Sequence, residues 1–237
     1  DIEAGIKNKK IAWSNDFNTR VVDLEIKEIF NNNLKIFENL GAKLEELKFD
    51  FDLNDLEQPF HKYLMHTFSF CVNEEFYNID PKKLMPHVKN TIERGSKVMA
   101  SDYAKALAQL MEYRSKMDKI FDKYDYILSP TVAIPPHKFN ERPIINNGKI
   151  EILDITDDQM FENNNYDYSS WIFVLAQFTA PFNWSGNPAV SLPCGFTKSG
   201  LPVGLQLAGK KKSELSLLQA SKAFENINPW QQNRPKI

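Results

Sequence analysis

The chain has 237 residues and a near balance of charge, 29 Lys and Arg against 31 Asp and Glu, for a formal net charge of −2. No global field of either sign exists to recruit nucleic acid or an anionic membrane surface. Apolar and charged fractions of 42% and 25% are those of an ordinary globular protein with enough length for a sizeable core.

In chain order, residues 9–14 (Lys-Lys-Ile-Ala-Trp-Ser) read as a short strand. Apolar residues then recur at Val22, Ile26, Ile29, Phe30, Leu34, Phe37 and Leu40, the spacing of one helical face. Gly41 follows that face, where a left-handed C-terminal cap is expected. Residues 43–49 alternate and read as a second strand. Strand, helix, strand in this order predicts a right-handed crossover with parallel pairing.

Residues 56–77 are aromatic-rich and predicted helical, closed by a turn at 78–81. Pro81 is placed to open a further helix running to about Gly95. Ser101 is placed to cap a long helix whose inward face holds Tyr103, Leu107, Leu110, Met111, Met117, Ile120 and Phe121. Residues 126–128 read as a buried strand stopped by Ser129-Pro130. Residues 135–167 carry Pro135-Pro136, Pro143 and three consecutive asparagines, Asn163 to Asn165, with little periodicity. They are expected to form an irregular loop.

Residues 170–177 read as a helix. Residues 189–196 and 201–207 read as strands joined by a tight turn at Lys198-Ser199-Gly200. Ser213 is placed to cap a last helix, with Glu214 suiting its dipole and Leu217, Leu218, Ser221, Phe224 and Ile227 facing inward. The basic run Lys210-Lys211-Lys212 before it reads as a solvated turn. No internal repeat or linker divides the chain, so one domain is expected over residues 1–237.

Three stretches resemble the amidase signature family, in the family's order. One is a long helix with Tyr103, Arg114 and Phe121 leading into Tyr124-Asp125-Tyr126-Ile127-Leu128-Ser129-Pro130-Thr131. The second runs from Phe178-Thr179-Ala180-Pro181-Phe182-Asn183-Trp184-Ser185-Gly186-Asn187-Pro188 through the two strands at 189–207. The third is Glu214-Leu215-Ser216-Leu217-Leu218-Gln219-Ala220 with Phe224-Glu225 behind it. The opening strand and helix are also similar to the unit that begins the family's second half.

The resemblance implies an α/β fold: part of a mixed β-sheet flanked by helices on both faces, the C-terminal portion of the family's domain. It implies hydrolysis of a carboxamide by a Ser nucleophile, a second Ser and a neutral Lys base. Backbone N–H groups of a Gly- and Ser-rich loop hold the oxyanion. The Gly-Gly-Ser-Ser-Gly pattern that carries these parts is absent from this sequence, so no catalytic residue is assigned. The expected partners are a small amide substrate, an N-terminal half carrying Ser-Ser-Lys, and a possible second copy.

On this resemblance the chain supplies the wall of a substrate pocket. Thr131, Gln177, Phe178, Thr179, Asn183 and Trp184 are its substrate-binding candidates. The aromatics offer shape-selecting apolar surface and the others a few polar contacts. In glutamine-using tRNA amidotransferases, the family member carries an Asp two residues before Phe178 that binds the amino group of glutamine. Here that position is Ala176, followed by Gln177, and neither pairs with an ammonium as a carboxylate does. That departure favours a general amidase. Two alternatives stay open: a non-catalytic relic that binds an amide or a partner, and part of the amidase-like component of a tRNA amidotransferase.

Other constellations carry less. His61, His66 and Cys71 are each five apart and do not share a helical face, so no metal is expected. No cofactor motif exists. Ser169-Ser170, flanked by Tyr168 and Trp171, lacks the glycine an oxyanion loop needs and reads as a helix start. Cys194 reads as a small buried side chain. Two cysteines far apart make no disulfide framework and fit a cytoplasmic location. No apolar run approaches the ~18 residues that span a bilayer. The opening Asp1-Ile2-Glu3 has neither a signal-peptide layout nor an initiator Met, as expected of a processed chain or a fragment.

Overall fold

The computed structural model describes all residues except 19–20, 53–58, 77–83, 85, 139, 155–173 and 234–237. They form two compact units: 1–50, 116–136 and 174–237 in the first, 51–115 and 137–173 in the second.

The first unit is built on a five-stranded mixed sheet. Its strands are β1 (Lys10–Trp13), β2 (Lys43–Glu46), β3 (Tyr126–Pro130), β6 (Ala189–Phe196) and β7 (Pro202–Gly209), in the spatial order β2-β1-β3-β7-β6. β1 pairs in parallel with β2 and β3; β7 runs antiparallel to both β3 and β6. The crossover from β1 to β2 is α1 (Leu24–Asn39), as the opening pattern predicts. Its first turn is capped by Asp23, whose carboxylate accepts from the N–H groups of Glu25 and Ile26. Gly41, just past its end, takes φ +84°.

The two faces of this sheet differ. Side chains alternate across a strand, so register fixes which residues share a face. One face carries Ile11, Tyr126, Leu128, Leu205 and Leu207, all buried. Against it lie α1 and the last helix, α6 (Glu214–Ile227). Phe37 of α1 stacks on Phe224 of α6 with ring centroids 5.2 Å apart. The Tyr126 hydroxyl donates to the Ser216 carbonyl at 2.9 Å, pinning α6 to the sheet. The opposite face carries Ala12, Ser129, Gln206 and Ser191, and lies under the segment 174–185 with its short helix α5 (Ala180–Ser185).

The second unit contains a π-helical segment, Pro59–Met65, continuing into α2 (His66–Phe76), then α3 (Pro86–Gly95), a hairpin of β4 (Glu141–Asn146) and β5 (Lys149–Asp154), and the first part of α4 (Ala100–Lys123). α2 and α3 pack closely enough that a Cβ on Gly95 would stand 2.0 Å from the His66 carbonyl oxygen, so only glycine fits.

Several sequence expectations are corrected. Residues 141–154 form a hairpin rather than irregular loop, closed by Asn147-Gly148, both at positive φ. That pair is what a two-residue turn demands. The long helix begins at Ala100, so Ser101 lies inside it and does not cap it. Its buried positions are Ala106, Leu110, Tyr113, Met117 and Phe121, whereas Tyr103, Leu107 and Met111 are exposed. In α6, Leu218 and Ile227 are exposed and Ala220 is buried instead. Ser213 occupies the N-cap of α6, yet its hydroxyl donates back to the Lys210 carbonyl at 2.6 Å rather than capping. Residues 178–184 form a turn and α5 rather than a loop. The expected turn at 78–81, the helix start at Pro81 and the serines Ser169 and Ser170 lie outside the described residues.

These assignments predict a contrast in α6. Phe224→Ala, at a fully buried ring, should cost about 3–5 kcal/mol of unfolding free energy in urea. Leu218→Ala, which the sequence pattern places inward, should change it by less than about 1 kcal/mol.

Candidate functional site

The site lies where the parallel strands β1 and β3 end, the end of an α/β sheet at which ligands generally bind. β3 finishes in Ser129-Pro130, followed by Thr131. Ser129 is fully buried, as is Gln206 opposite it on β7. A buried amide must find partners or lose free energy. The Gln206 Nε2 donates to the Phe178 carbonyl at 2.9 Å and to the Ser129 Oγ at 3.2 Å. The Ser129 hydroxyl in turn donates to the Pro130 carbonyl at 2.9 Å. One side chain thus ties the end of β3 to the segment lying over the polar face.

Thr131 extends the same polar row. Its N–H donates to the Gly204 carbonyl at 2.9 Å, and its hydroxyl shares a 2.7 Å hydrogen bond with that of Ser191 on β6. The two hydroxyls meet over Gly204. A Cβ there would stand 2.9 Å from both oxygens, so the absence of a side chain permits the contact. This hydroxyl pair is exposed.

Apolar surface adjoins it. Phe17, just beyond β1, takes φ +48°, a strained conformation for a bulky residue. The Ser14 hydroxyl accepts its N–H at 2.9 Å and holds it there. Its ring lies 5.0 Å from that of Phe178, 5.2 Å from Phe49 and 6.2 Å from Phe182.

The six sequence candidates divide by environment. Gln177, Phe178 and Trp184 are buried to within 2% of complete. The Gln177 amide is committed to backbone, donating to the Val21 carbonyl at 3.0 Å and to Val174 at 3.3 Å. Thr179 is half-buried and donates to the Ala176 carbonyl at 3.3 Å. Thr131 is half-buried and Asn183 is exposed. The structure joins Thr131 to the 178–184 segment through Gln206 and Ser129. Sequence reading missed Phe17, Ser129, Ser191, Gly204 and Gln206. The available signal was polar Ser191 and Gln206 alternating with Val190, Leu192, Leu205 and Leu207, which marks one polar face on two strands.

Cys194 is no nucleophile in this chain. Burial pushes its thiol up to about 12, and the Sγ donates to the Val203 carbonyl at 3.4 Å. Among the described residues no group of three or more His, Cys, Asp or Glu converges as metal ligands do. No described helix is long and apolar enough to cross a membrane.

Comparison with known proteins agrees with this architecture. The family model described as Amidase matches residues 2–218. This chain belongs to the amidase signature family. Curated relatives include the amidase-like component of the glutamyl-tRNA(Gln) amidotransferase of Thermodesulfovibrio yellowstonii, 25% identical over 98% of this chain and 48% of the relative. Its counterpart in Halalkalibacterium halodurans is 28% identical over 98% of this chain and 47% of its own. Among solved structures, a bacterial aryl acylamidase of the amidase signature family aligns with TM-score 0.76 and 21% identity, covering 99% of this chain and 48% of that one. A 6-aminohexanoate cyclic dimer hydrolase aligns with TM-score 0.78 and 20% identity over the same shares. The chain spans about half the length of the relatives it matches.

Two outcomes are expected. Gly204→Ala forces the Thr131 and Ser191 hydroxyls apart and should cost about 1–3 kcal/mol in urea denaturation, whereas Ser191→Ala should cost less than about 1 kcal/mol. A thiol reagent near pH 8 should label Cys71, which is exposed, and reach Cys194 only after unfolding.

Proposed function

We propose that this chain forms the substrate-pocket portion of an amidase that hydrolyses a carboxamide through a serine acyl-enzyme. The nucleophilic Ser, the second Ser and the Lys base come from polypeptide corresponding to the part of the relatives that this chain does not match. There the Ser oxygen bonds to the amide carbon, the C–N bond breaks, and the amine leaves with the proton the Lys has relayed. Water then hydrolyses the ester. The 237-residue chain alone is inactive.

The observation that carries this reading is the polar face at the ends of β1 and β3. Ser129, Thr131, Ser191 and Gln206 form it beside the aromatic cluster of Phe17, Phe178 and Phe182. A few fixed polar groups against apolar surface suit a small amide. The role assigned here to Thr131, Thr179 and Asn183 is contact with that amide. Gln177, Phe178 and Trp184 shape the wall from behind. The two free cysteines fit a cytoplasmic setting.

A second reading has an observation of its own: the relatives from Thermodesulfovibrio yellowstonii and Halalkalibacterium halodurans belong to tRNA amidotransferases. Ala176 and Gln177 speak against it. Ala176 has no charge, and the Gln177 amide is already held by two backbone carbonyls. No side chain at these two positions remains to bind the ammonium of glutamine.

The test is amide turnover by the intact gene product that contains this sequence. It should release amine or ammonia from a simple carboxamide or aryl acylamide without partner proteins, while the 237-residue chain releases none. Glutamine hydrolysis that requires partner proteins would establish the second reading. No turnover of any amide by the intact product would overturn both.

A further inference from the structure

β6 is an edge strand, and its outer edge is protected along only half its length. The Gly209 N–H donates to the Pro188 carbonyl at 2.9 Å, so backbone groups at 188, 190 and 192 turn toward β7. Those of Ala189, Ser191 and Pro193 therefore turn outward.

Beyond Leu192 the edge is closed to pairing in three ways. Pro193 has no N–H to offer. A bulge between Pro193 and Gly195 breaks the register. The Cys194 carbonyl accepts from the buried Asn33 Nδ2 of α1 at 2.8 Å. Such devices keep edges from pairing with other chains. At the other end nothing comparable exists: Ala189 and Ser191 are exposed, and among the described residues nothing bonds their outward N–H and C=O groups.

We propose that the Ala189–Ser191 edge is the seam along which the remainder of an amidase fold adds a strand. This rests on the functional reading above. The occupant follows from two observations. The solved relatives that align over 99% of this chain have about as much polypeptide again, 48% of their length being covered. Ser191, whose backbone forms the open edge, carries the hydroxyl bonded to Thr131. A strand added there brings the missing portion alongside the polar face without disturbing β7. Closure of the edge from Pro193 onward limits the added pairing to the two outward residues, which sets its register.

Residue-resolved amide exchange tests this. In the intact gene product the Ala189 and Ser191 amides should exchange on the order of 100-fold or more slower than in the 237-residue chain. Ala189→Pro, which removes one outward donor at the first position of a strand where proline is tolerated, should abolish the added protection at Ser191. In the isolated chain this variant should leave the circular dichroism unchanged. Rapid exchange of both amides in the intact product would overturn the seam. So would protection in the 237-residue chain that rises with concentration alongside a dimeric mass, because β6 would then pair with its own copy. Amide hydrolysis by a product whose two amides exchange freely sinks the seam and leaves the amidase reading standing. Protection without hydrolysis does the reverse.

Discussion

One buried amide sets the geometry of the polar face. Gln206 lies in the middle of a sheet whose neighbouring residues, Leu205 and Leu207, are fully buried. Its Nε2 bridges the Ser129 hydroxyl on β3 and the carbonyl of Phe178 in the covering segment. Loss of that donor would leave a carbonyl and a hydroxyl to be satisfied in an apolar setting, at about 1–3 kcal/mol each. The bridge therefore holds residues 174–185 at a fixed position over the ends of β1 and β3. Phe178 then meets Phe17, and Thr131 emerges beside Ser191 and Gly204.

The contrast between the two faces follows from strand periodicity. Apolar side chains point toward α1 and α6, where the Phe37–Phe224 stack and the Tyr126 hydroxyl lock helices to the sheet. Serine, threonine, glutamine, glycine and alanine point the other way. A sheet built for stability alone would use apolar groups on both buried faces. Here the polar face and the left-handed Phe17 mark where stability gives way to a binding surface.

Much of the fold was legible because it rests on local pattern. β1, α1 and β2 follow from a period change between two and nearly four residues, and the pair at 189–209 from alternation around a glycine turn. The errors have physical causes. In α4 the apolar residues cover a wide arc, so periodicity gives a helix but not which part of the arc is covered. The pattern favours Tyr103, Leu107 and Met111, while burial falls on Ala106, Leu110 and Tyr113. The hairpin at 141–154 was hidden by Pro143 and by weak alternation, although Asn147-Gly148 signalled it. Within the site, Thr131 and the 178–184 segment came from family resemblance. Ser129, Ser191 and Gln206 are brought together only by the register of β3, β7 and β6, which no local pattern encodes.

The most direct measurement is an experimental structure of the intact gene product with a slowly hydrolysed amide bound. The account predicts that the ligand contacts Thr131 and the 179–183 segment, with its carbonyl carbon facing a serine from outside this chain. A ligand bound away from the ends of β1 and β3, touching none of these residues, would contradict it.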